Sequence, residues 1–372
     1  MEQVRVLHVL EGMRKGGAEA MVMNLYRNID RSKVQFDFMV HTTDHCAYDD
    51  EIVALGGRIF RVPLYNVVNH VAYKRAWDHF LKNNNDCKVV HGHMTSLASI
   101  YLKIANQYGL TTIAHSHNTG AIRDLKRFIL DIWKIPLKHV ADELFACSLT
   151  AGEWVYGKKH CEKPNFFVLN NGIETEKFAY NPTVGEQKRK ELDLENKFVI
   201  GHIGRFAPQK NHGFLIDIFK KIHDQNRDAV LLLIGEGELR GKTEDKVKAL
   251  GLESSVVFAG VRSDISDLLC AMDVFLFPSL YEGLGIVLIE AQANGLHCIT
   301  SDVVPQESNV TNLIEYISLN KPSSYWAEKV LSLASGYERK DMQEEIKQAG
   351  FDIKEVAKWM EEFYLRSNEV DC

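Results

Sequence analysis

The chain has 372 residues, of which 45% are hydrophobic and 25% are charged, and its formal net charge at neutral pH is −6. This length exceeds what one hydrophobic core usually organises, and the composition disfavours long disorder, so we expect two globular domains. The negative charge gives no global reason to bind nucleic acid, and any anion must be recognised by a local cluster of cations.

The cysteines and the amino-terminal residues indicate a compartment. The seven cysteines are odd in number and show no Cys-x-x-Cys spacing, which favours reduced thiols in the cytosol. The first residues lack a basic leader, and no apolar run approaches the roughly 20 residues needed to cross a bilayer. We therefore expect a cytoplasmic protein without a signal peptide or a membrane span.

A glycine-containing loop follows the first predicted strand, at residues 4–10. It includes Gly16 and Gly17, and a helix is predicted from about residue 18 to residue 28. Glycines let a backbone approach a ligand closely, and a helix N-terminus supplies free N–H donors. The loop is therefore either one wall of a phosphate or sugar site or a simple strand-to-helix connection.

Strands then alternate with helices through the first half of the chain. Further strands are predicted at 34–40, 58–61, 88–91, 111–115, 143–146 and 166–169, with the clearest helices at 71–81 and 97–106. This alternation predicts a parallel, doubly wound α/β sheet. Ligands of such sheets bind beyond the carboxyl ends of the strands.

Histidine is concentrated after three of these strands. The residues are the pairs His91/His93 and His115/His117, and the group His41, His45 and Cys46. Four imidazoles near one sheet edge could bind zinc, which accepts nitrogen and sulfur ligands. The alternative, which we adopt, is that these histidines are hydrogen-bonded near a ligand and that no metal site is present.

Residues 121–140 form a basic segment that also contains apolar residues. Its cations include Arg123, Lys126 and Arg127, and they are interleaved with Phe128 and Trp133. An amphipathic basic segment suits an anionic membrane surface or a lipid-diphosphate acceptor. The solvated face of an ordinary helix would show the same pattern. We retain peripheral membrane contact as an expectation beside that alternative.

An Asn-Gly turn and a polar stretch divide the chain. Asn171 and Gly172 end the first half, and residues 174–185 have little periodic pattern, which is typical of a linker. We expect one domain at 1–173, a hinge with its following helix at 174–196, a second domain at 197–350 and a terminal helix within 351–372.

The second half begins with a strand that leads to Arg205, and Lys210 follows in the next loop. Two cations delivered to the end of a buried strand are hard to explain as packing, because unpaired buried cations are costly. A bound anion would satisfy both, through the arginine fork and the lysine point charge. The alternative is a surface ion pair.

Residues 277–291, FPSLYEGLGIVLIEA, join an apolar strand to an apolar helix through a glycine-containing turn. The helix begins near Gly285, so its free N–H groups and its dipole favour an anion at the end of the strand. Glu282 precedes the helix, and Glu290 lies about one and a half turns inside it. Glutamates at this spacing are common on solvated helices, but the surrounding Pro-Ser-x-x-Glu-Gly-x-Gly makes the pattern specific.

Together these motifs resemble those of the family-4 glycosyltransferases, and the resemblance covers almost the whole chain. The family has the GT-B fold, in which two Rossmann-like domains with doubly wound parallel sheets face a central cleft and a C-terminal helix crosses back to the first domain. Its members are retaining enzymes that use nucleotide-sugar donors. Bacterial exopolysaccharide and capsule glycosyltransferases are the most similar members, which implies a UDP-sugar donor, a glycan or lipid-linked oligosaccharide acceptor, and a position at the inner face of the membrane.

The resemblance also implies roles for individual residues. Arg205 and Lys210 match the family's Gly-Arg-x4-Lys motif and would stabilise the departing diphosphate. Glu282 would hold hydroxyls of the donor sugar, Glu290 would bind the nucleotide ribose, and His117 would contact the sugar near the reacting carbon. Further donor contacts are implied for Gly16, Gly17, Gly283, Leu284, Gly285, Val261 and Arg262.

The resemblance implies no metal and no other cofactor. No Asp-x-Asp triad stands at a suitable strand end, so cationic side chains and N–H groups would replace a divalent ion. The sequence departs from the family pattern at Glu174, where an aspartate is usual, and at residues 302–307, where a role for Glu307 is in doubt.

Two other functions are compatible with the sequence. A GT-B nucleotide-sugar 2-epimerase would share the fold and the donor but would need additional acid/base carboxylates and no acceptor. A non-catalytic nucleotide-binding subunit of a polysaccharide assembly complex would share only the fold. The non-catalytic alternative is disfavoured because all five motif residues are present together. They are Arg205, Lys210, Glu282, Glu290 and His117.

Overall fold

The computed structural model describes residues 3–117 and 136–367. The chain forms two compact units, one of Met1–Ile173 with Gly350–Cys372 and the other of Glu174–Ala349. The second unit is thus inserted between two parts of the first. Each unit is built on its own parallel sheet.

The sheets contain thirteen described strands. In the first unit they are β1 Val4–Leu10, β2 Val34–Val40, β3 Ile59–Arg61, β4 Cys87–Gly92, β5 Thr111–Ser116, β6 Glu143–Ala146 and β7 Phe166–Val168. In the second unit they are β8 Phe198–Ile203, β9 Ala229–Ile234, β10 Val256–Gly260, β11 Val274–Phe277, β12 His297–Ser301 and β13 Ile314–Ile317. The orders are β3-β2-β1-β4-β5-β6-β7 and β10-β9-β8-β11-β12-β13. In each sheet the chain adds strands first to one side of its first strand, β1 or β8, and then to the other side. Folds of this type bind ligands at the point where the strand order reverses.

Helices connect the strands. They are α1 Gly17–Asn28, α2 Asp49–Ala54, α3 His70–Asn83, α4 Thr95–Gln107, α5 Leu137–Val140, α6 Leu149–Tyr156, α7 Lys158–Cys161, α8 Pro182–Glu191, α9 His212–Gln225, α10 Arg240–Ala249, α11 Ile265–Ala271, α12 Ile286–Ala293, α13 Ser323–Leu331, α14 Gln343–Gln348 and α15 Ile353–Ser367.

The first sheet is buried on both faces. Helices α1 and α15 cover one face, where Phe36 and Tyr364 are fully buried. On the other face, Trp77 of α3 stacks on Tyr101 of α4 with ring centroids 5.0 Å apart. Burial on both faces explains why the central strands carry apolar residues on both faces.

The C-terminal helix belongs to the first unit. The chain returns at a parallel bridge between Ile173 and Asp352, and the N–H of Ile353 donates to the carbonyl of Ile173 at 3.0 Å. The Asp352 carboxylate accepts from the N–H of Lys354 at 2.9 Å and so caps α15. Helix α15 therefore completes the core of the first unit.

Residues 174–185, which are interpreted as a linker because they show little periodic pattern, contain short regular elements. Thr175–Phe178 form a 3-10 turn within the second unit, and α8 begins at Pro182. The Asn181 side chain accepts hydrogen bonds from the first turn of α8. The helix is thus specified by its N-cap and by proline in its first turn rather than by apolar periodicity.

Most of the basic segment 121–140 lies outside the described residues, so its membrane contact stays a prediction. Only its last residues are described, and they form α5. Across residues 3–117 and 136–367, no helix combines the length and the apolar character that a membrane span requires. Nor does a disulfide link any of the cysteines in that part of the chain.

Candidate functional site

The loops after β8 and β11 are joined, because these strands are neighbours in the second sheet. Hydrogen bonds run from the N–H of Leu280 to Gln209 O, from Gln209 Nε2 to Tyr281 O and from Asn211 Nδ2 to Pro278 O, at 2.8, 3.0 and 3.2 Å. The carboxyl ends of these strands therefore carry a fixed pair of loops. One loop contains Lys210 and the other contains Glu282.

Lys210 and Glu282 form a largely buried ion pair. Lys210 Nζ lies 2.6 Å from Glu282 Oε1, and only 16% and 7% of the two side chains are exposed. Gln209 Nε2 donates to the other carboxylate oxygen at 3.1 Å, and the ammonium lies 4.5 Å from the centre of the Phe277 ring. A buried ion pair is tolerated only with such additional partners. The structure thus brings together two of the predicted catalytic residues.

The turn over residues 283–285 leads directly into α12. Gly283 and Leu284 are buried, and Gly285 adopts φ +84°, a left-handed conformation that disfavours any other residue. The first N–H groups of α12 have no carbonyl four residues earlier to bond. Glu282 therefore lies just before a helix terminus that favours negative charge.

Glu290 is a partly buried carboxyl group on α12. Within the described residues its side chain has no hydrogen-bond partner. Burial raises the pKa of Glu290 to about 7, against the opposing effect of the nearby Lys177 ammonium. A carboxyl in this state can accept a hydrogen bond from a ligand hydroxyl without losing a partner of its own.

Arg205 and Lys210 differ in burial, and in the structure Arg205 matches the surface ion pair that the sequence left as an alternative. Strand β8 ends at Ile203, so Arg205 lies in the following turn, where 72% of its side chain is exposed. Its guanidinium pairs with Glu238 at 3.0 Å. Arg205 is thus a solvated surface cation, whereas Lys210 is the buried one.

Val261 and Arg262 follow β10. Val261 is exposed, and Arg262 bonds Asp264 at 2.6 Å and Glu191 at 3.1 Å. The Arg262 guanidinium holds the pKa of Asp264 well below its usual range. Arg262 therefore belongs to a surface ion-pair cluster, and in the described structure it contacts neither Lys210 nor Glu282.

Gly16 and Gly17 stand at the start of α1 in the first unit. Gly16 is the N-cap of α1, and as a glycine it offers no side-chain oxygen to cap the helix. A Cβ on Gly16 would displace the Glu19 carboxylate, whereas Gly17 faces open space. Packing therefore does not explain why position 17 is a glycine.

The fourth predicted catalytic residue, His117, belongs to a cluster of five histidines in the first unit. The cluster consists of His8 on β1, His91 and His93 at the end of β4, and His115 and His117 at the end of β5. These residues share one face of three adjacent strands, because side chains alternate along a strand. His41 lies apart, bonded to Leu10 O and to the Tyr73 hydroxyl.

The five rings form two hydrogen-bonded chains. In one, His93 bonds His8 at 3.0 Å and His117 at 2.8 Å. In the other, His91 bonds His115 at 3.1 Å and the Tyr364 hydroxyl at 2.7 Å. The structure thus links His117, through His93, to the buried core of the sheet.

The histidines of the cluster are neutral at physiological pH. Burial lowers the pKa of His117 to about 4 and that of His8 to about 3. Burial together with neighbouring histidines keeps the pKa of His91, His93 and His115 well below the usual value. His117 can therefore offer a hydrogen bond to a ligand without adding a positive charge.

Both sets of described side chains that could hold a metal ion lie in this cluster. They are His8, His91 and His93, and His93, His115 and His117, and in each set one nitrogen per ring lies within 4.8 Å of the others. The zinc alternative therefore has a geometric basis. The second set consists only of histidines predicted from the sequence, the first set adds His8, and neither includes His41, His45 or Cys46.

Sequence reasoning missed three residues of these sites. Gln209 supports the Glu282 carboxylate, and no pattern marks it. His8 interrupts the apolar run of residues 6–10 in β1, and that signal could have been used. Tyr364 enters the cluster from α15, and only the fold brings it there.

Known proteins match the chain over nearly its whole length. The family model described as Glycosyltransferase Family 4 matches residues 15–177, and the one described as Glycosyl transferases group 1 matches residues 184–350. EpsF of Bacillus subtilis (strain 168), which is named as a glycosyltransferase, is 37% identical over 99% of this chain and 98% of its own. The capsular polysaccharide biosynthesis glycosyltransferase CapM of Staphylococcus aureus is 30% identical over 51% of each chain.

A third relative and two solved structures extend these matches. The UDP-Gal:alpha-D-GlcNAc-diphosphoundecaprenol alpha-1,3-galactosyltransferase of Escherichia coli is 29% identical over 64% of each chain. HepE of Anabaena superposes with a TM-score of 0.74 at 16% identity, covering 99% of this chain and 98% of that one. Sucrose-phosphate synthase of Thermosynechococcus elongatus superposes with a TM-score of 0.77 at 17% identity, covering 98% and 99%.

The structural matches confirm the predicted fold class, two parallel-sheet α/β domains of the GT-B type. The near full-length similarity to EpsF and the two family models confirm the predicted family. The chain belongs to the group 1, family 4 glycosyltransferases.

Proposed function

We propose that the chain is a retaining glycosyltransferase that moves a sugar from a nucleotide-diphosphate sugar to a hydroxyl of a glycan or lipid-linked oligosaccharide in polysaccharide biosynthesis. The observation that carries this proposal is the Lys210–Glu282 pair at the ends of β8 and β11, beside the N-terminus of α12. A UDP-sugar is the proposed donor. The E. coli relative is named for UDP-Gal and a diphosphoundecaprenol acceptor, and HepE was solved with UDP and glucose.

Lys210 would balance the charge of the donor diphosphate. Without donor, its ammonium is neutralised by Glu282. When a diphosphate binds, the ammonium can bond a phosphate oxygen, and the carboxylate is then available to accept hydrogen bonds from sugar hydroxyls. Such charge-assisted bonds are about twice as strong as neutral ones. The ion pair thus keeps both groups in place for the donor.

Arg205 would add a second cation. Its pair with Glu238 is exposed, and exposed ion pairs contribute little to stability. The guanidinium can therefore leave Glu238 at little cost and bind the diphosphate through its fork. With the first N–H groups of α12, these cations would replace a divalent metal, so we propose that transfer needs no metal.

In the transfer step, the bond from the anomeric carbon to the diphosphate oxygen breaks and a bond to the acceptor oxygen forms on the same face. The acceptor hydroxyl loses its proton to the departing diphosphate. Lys210 and Arg205 would stabilise the negative charge that develops there. Neutral His117 would bond the sugar near the reacting carbon.

The other predicted contacts are proposals of the same kind. Glu290 would accept a hydrogen bond from the ribose, and Gly16 and Gly17 would lie near the donor phosphates. Exposed Val261 is available to a nucleobase, whereas Arg262 would have to leave Asp264 and Glu191 to reach one.

A transfer assay tests this function. The full chain is supplied with a panel of nucleotide sugars, lipid-linked and free glycan acceptors, and EDTA. We expect transfer from one donor class, and a loss of about 100-fold or more in kcat/KM for Lys210→Ala, the usual effect of removing one transition-state contact.

Lys246→Ala is the matched control, because it removes another ion-paired lysine of the same unit, bonded to Asp217 at 2.7 Å. We expect kcat/KM of this variant to stay near the wild-type value. Equal activity of the wild type and Lys210→Ala would contradict the proposal. Conversion of the donor to its 2-epimer without acceptor would replace it with the epimerase alternative.

A further inference from the structure

We propose that His93, His115 and His117 bind one transition-metal ion of the zinc class, and that metal held there inhibits sugar transfer. The inhibition rests on the proposed function, because it assumes that His117 contacts the donor sugar. The metal binding itself does not.

The three rings already lie at suitable separations. Ring centroids are 4.1 Å apart for His115 and His117, 5.0 Å for His93 and His117, and 5.3 Å for His93 and His115. One nitrogen from each ring lies within 4.8 Å of the other two. Zinc binds imidazole nitrogen at about 2.0–2.1 Å, so small ring rotations would complete the site while the strands stay fixed.

The hydrogen bonds of the cluster leave donors and acceptors unused. A neutral imidazole has one N–H and one lone pair. His93 can give its single N–H to only one neighbour, so either His8 Nε2 or His117 Nδ1 must carry an N–H that points at no acceptor. Both atoms, and His115 Nε2 as well, are buried without a hydrogen-bond partner in the described structure. A buried polar group without a partner destabilises the folded state, and a metal that binds ring lone pairs would rearrange these hydrogen bonds.

The remaining hydrogen bonds would orient the ligands. His93 can bind metal through Nδ1 while its Nε2 stays bonded to His8, and His115 can bind through Nε2 while its Nδ1 stays bonded to His91. Tyr364 in turn bonds His91. Metal-bound histidines commonly have such a partner on the second nitrogen, which fixes the ring and the tautomer.

The ligand set selects the class of metal. Three neutral imidazoles without a carboxylate suit zinc, cobalt, nickel or copper better than magnesium or calcium, which prefer oxygen. Three ligands leave one position of a tetrahedral ion open. With metal bound, His117 is directed to the ion and is withdrawn from the sugar.

Metal binding is tested with Co²⁺ as a spectroscopic probe and Zn²⁺ as a competitor. The full chain, freed of metal, is titrated with Co²⁺, and metal content is measured after dialysis. We expect one ion per chain, with the visible absorption of tetrahedral cobalt, and its displacement by Zn²⁺. His93→Gln should lose this absorption. His45→Gln, which changes an exposed histidine paired with Asp50, should keep it.

Thermal unfolding without metal checks that each variant is folded. If His93→Gln does not fold, His117→Gln takes its place, because His117 lies beyond the end of β5 and is only partly buried. A wild-type chain that binds no stoichiometric Co²⁺, or a folded variant that binds it as well as the wild type, would overturn the site.

Inhibition is measured in the transfer assay. Zn²⁺ at the concentration that fills the site should lower the rate at least tenfold, and EDTA should restore it. The residual activity of His93→Gln should not respond to Zn²⁺. Full activity of the metal-loaded wild type would overturn the inhibition alone. Cobalt binding through His93 in a chain without any transfer activity would instead contradict the proposed function and support the site.

Discussion

Glu290, the proposed contact for the nucleotide ribose, has a cost in stability that follows from its burial. Its partly buried carboxyl gains no hydrogen bond from the described protein, and burial raises its pKa to about 7. The folded chain therefore holds a proton there that the unfolded chain releases near pH 4.5. Between these values the folded state loses stability as pH rises.

Glu290→Gln should therefore stabilise the free protein at high pH. Glutamine resembles the neutral acid, so the gain in unfolding free energy should be near zero at pH 4.5 and reach roughly 1–3 kcal/mol at pH 8. Nucleotide binding should weaken at the same time, because the amide is a poorer acceptor for a ribose hydroxyl. Urea unfolding at both pH values and a nucleotide titration measure the two effects.

Glu253→Gln is the control for this prediction, since it neutralises an exposed carboxylate of the same unit. Its unfolding free energy should follow that of the wild type at both pH values. A gain for Glu290→Gln that does not grow with pH would show that Glu290 is already ionised in the folded chain.

The contacts and the exposure of the site residues could be predicted only in part from the sequence. The motif places Lys210 and Glu282 near each other, and the structure joins them at 2.6 Å. The exposure of Arg205 could not be read, because it depends on β8 ending two residues earlier, at Ile203. The role of Gln209 arises from loop geometry that no local pattern encodes.

At the scale of elements, α12 depends on how the chain enters it. Gly285 has φ +84°, where a residue with a Cβ costs about 1–2 kcal/mol. We expect Gly285→Ala to lower the unfolding free energy of the second unit by that amount. Gly213→Ala is the matched control, because Gly213 lies in α9 with no atom near its missing Cβ.

Alanine at position 213 should leave stability unchanged or raise it slightly, since alanine favours a helix over glycine. Urea unfolding of the two variants compares them directly. Equal effects of the two substitutions would mean that the left-handed entrance to α12 is not maintained in solution.

Buried strands were predictable, and short half-exposed elements were not. The bounds predicted for β1, β2 and β6, at 4–10, 34–40 and 143–146, agree with the structure. The edge strand β13 was not predicted, because its four residues are mostly half-exposed and lie between polar turns. Helices α2 and α6 were missed as well, since neither has a long apolar period.

For the whole molecule, the sequence predicts the polar boundary near residue 173 and the two α/β halves. The return of the chain after residue 350 was expected only from the family resemblance, because it depends on the Ile173–Asp352 bridge and on the packing of α15 against α1, which no local pattern encodes. The histidine cluster likewise exists only because the sheet brings β1, β4 and β5 side by side.

The most direct test of the account is a calorimetric titration of the full chain with UDP, GDP, ADP and their sugar conjugates, with and without EDTA. The account predicts that one nucleotide family binds at one site, that EDTA does not change the affinity, and that Arg205→Ala and Glu290→Ala weaken it. Absence of binding by every nucleotide, or binding that requires a divalent metal, would contradict a metal-independent nucleotide-sugar site in the second unit.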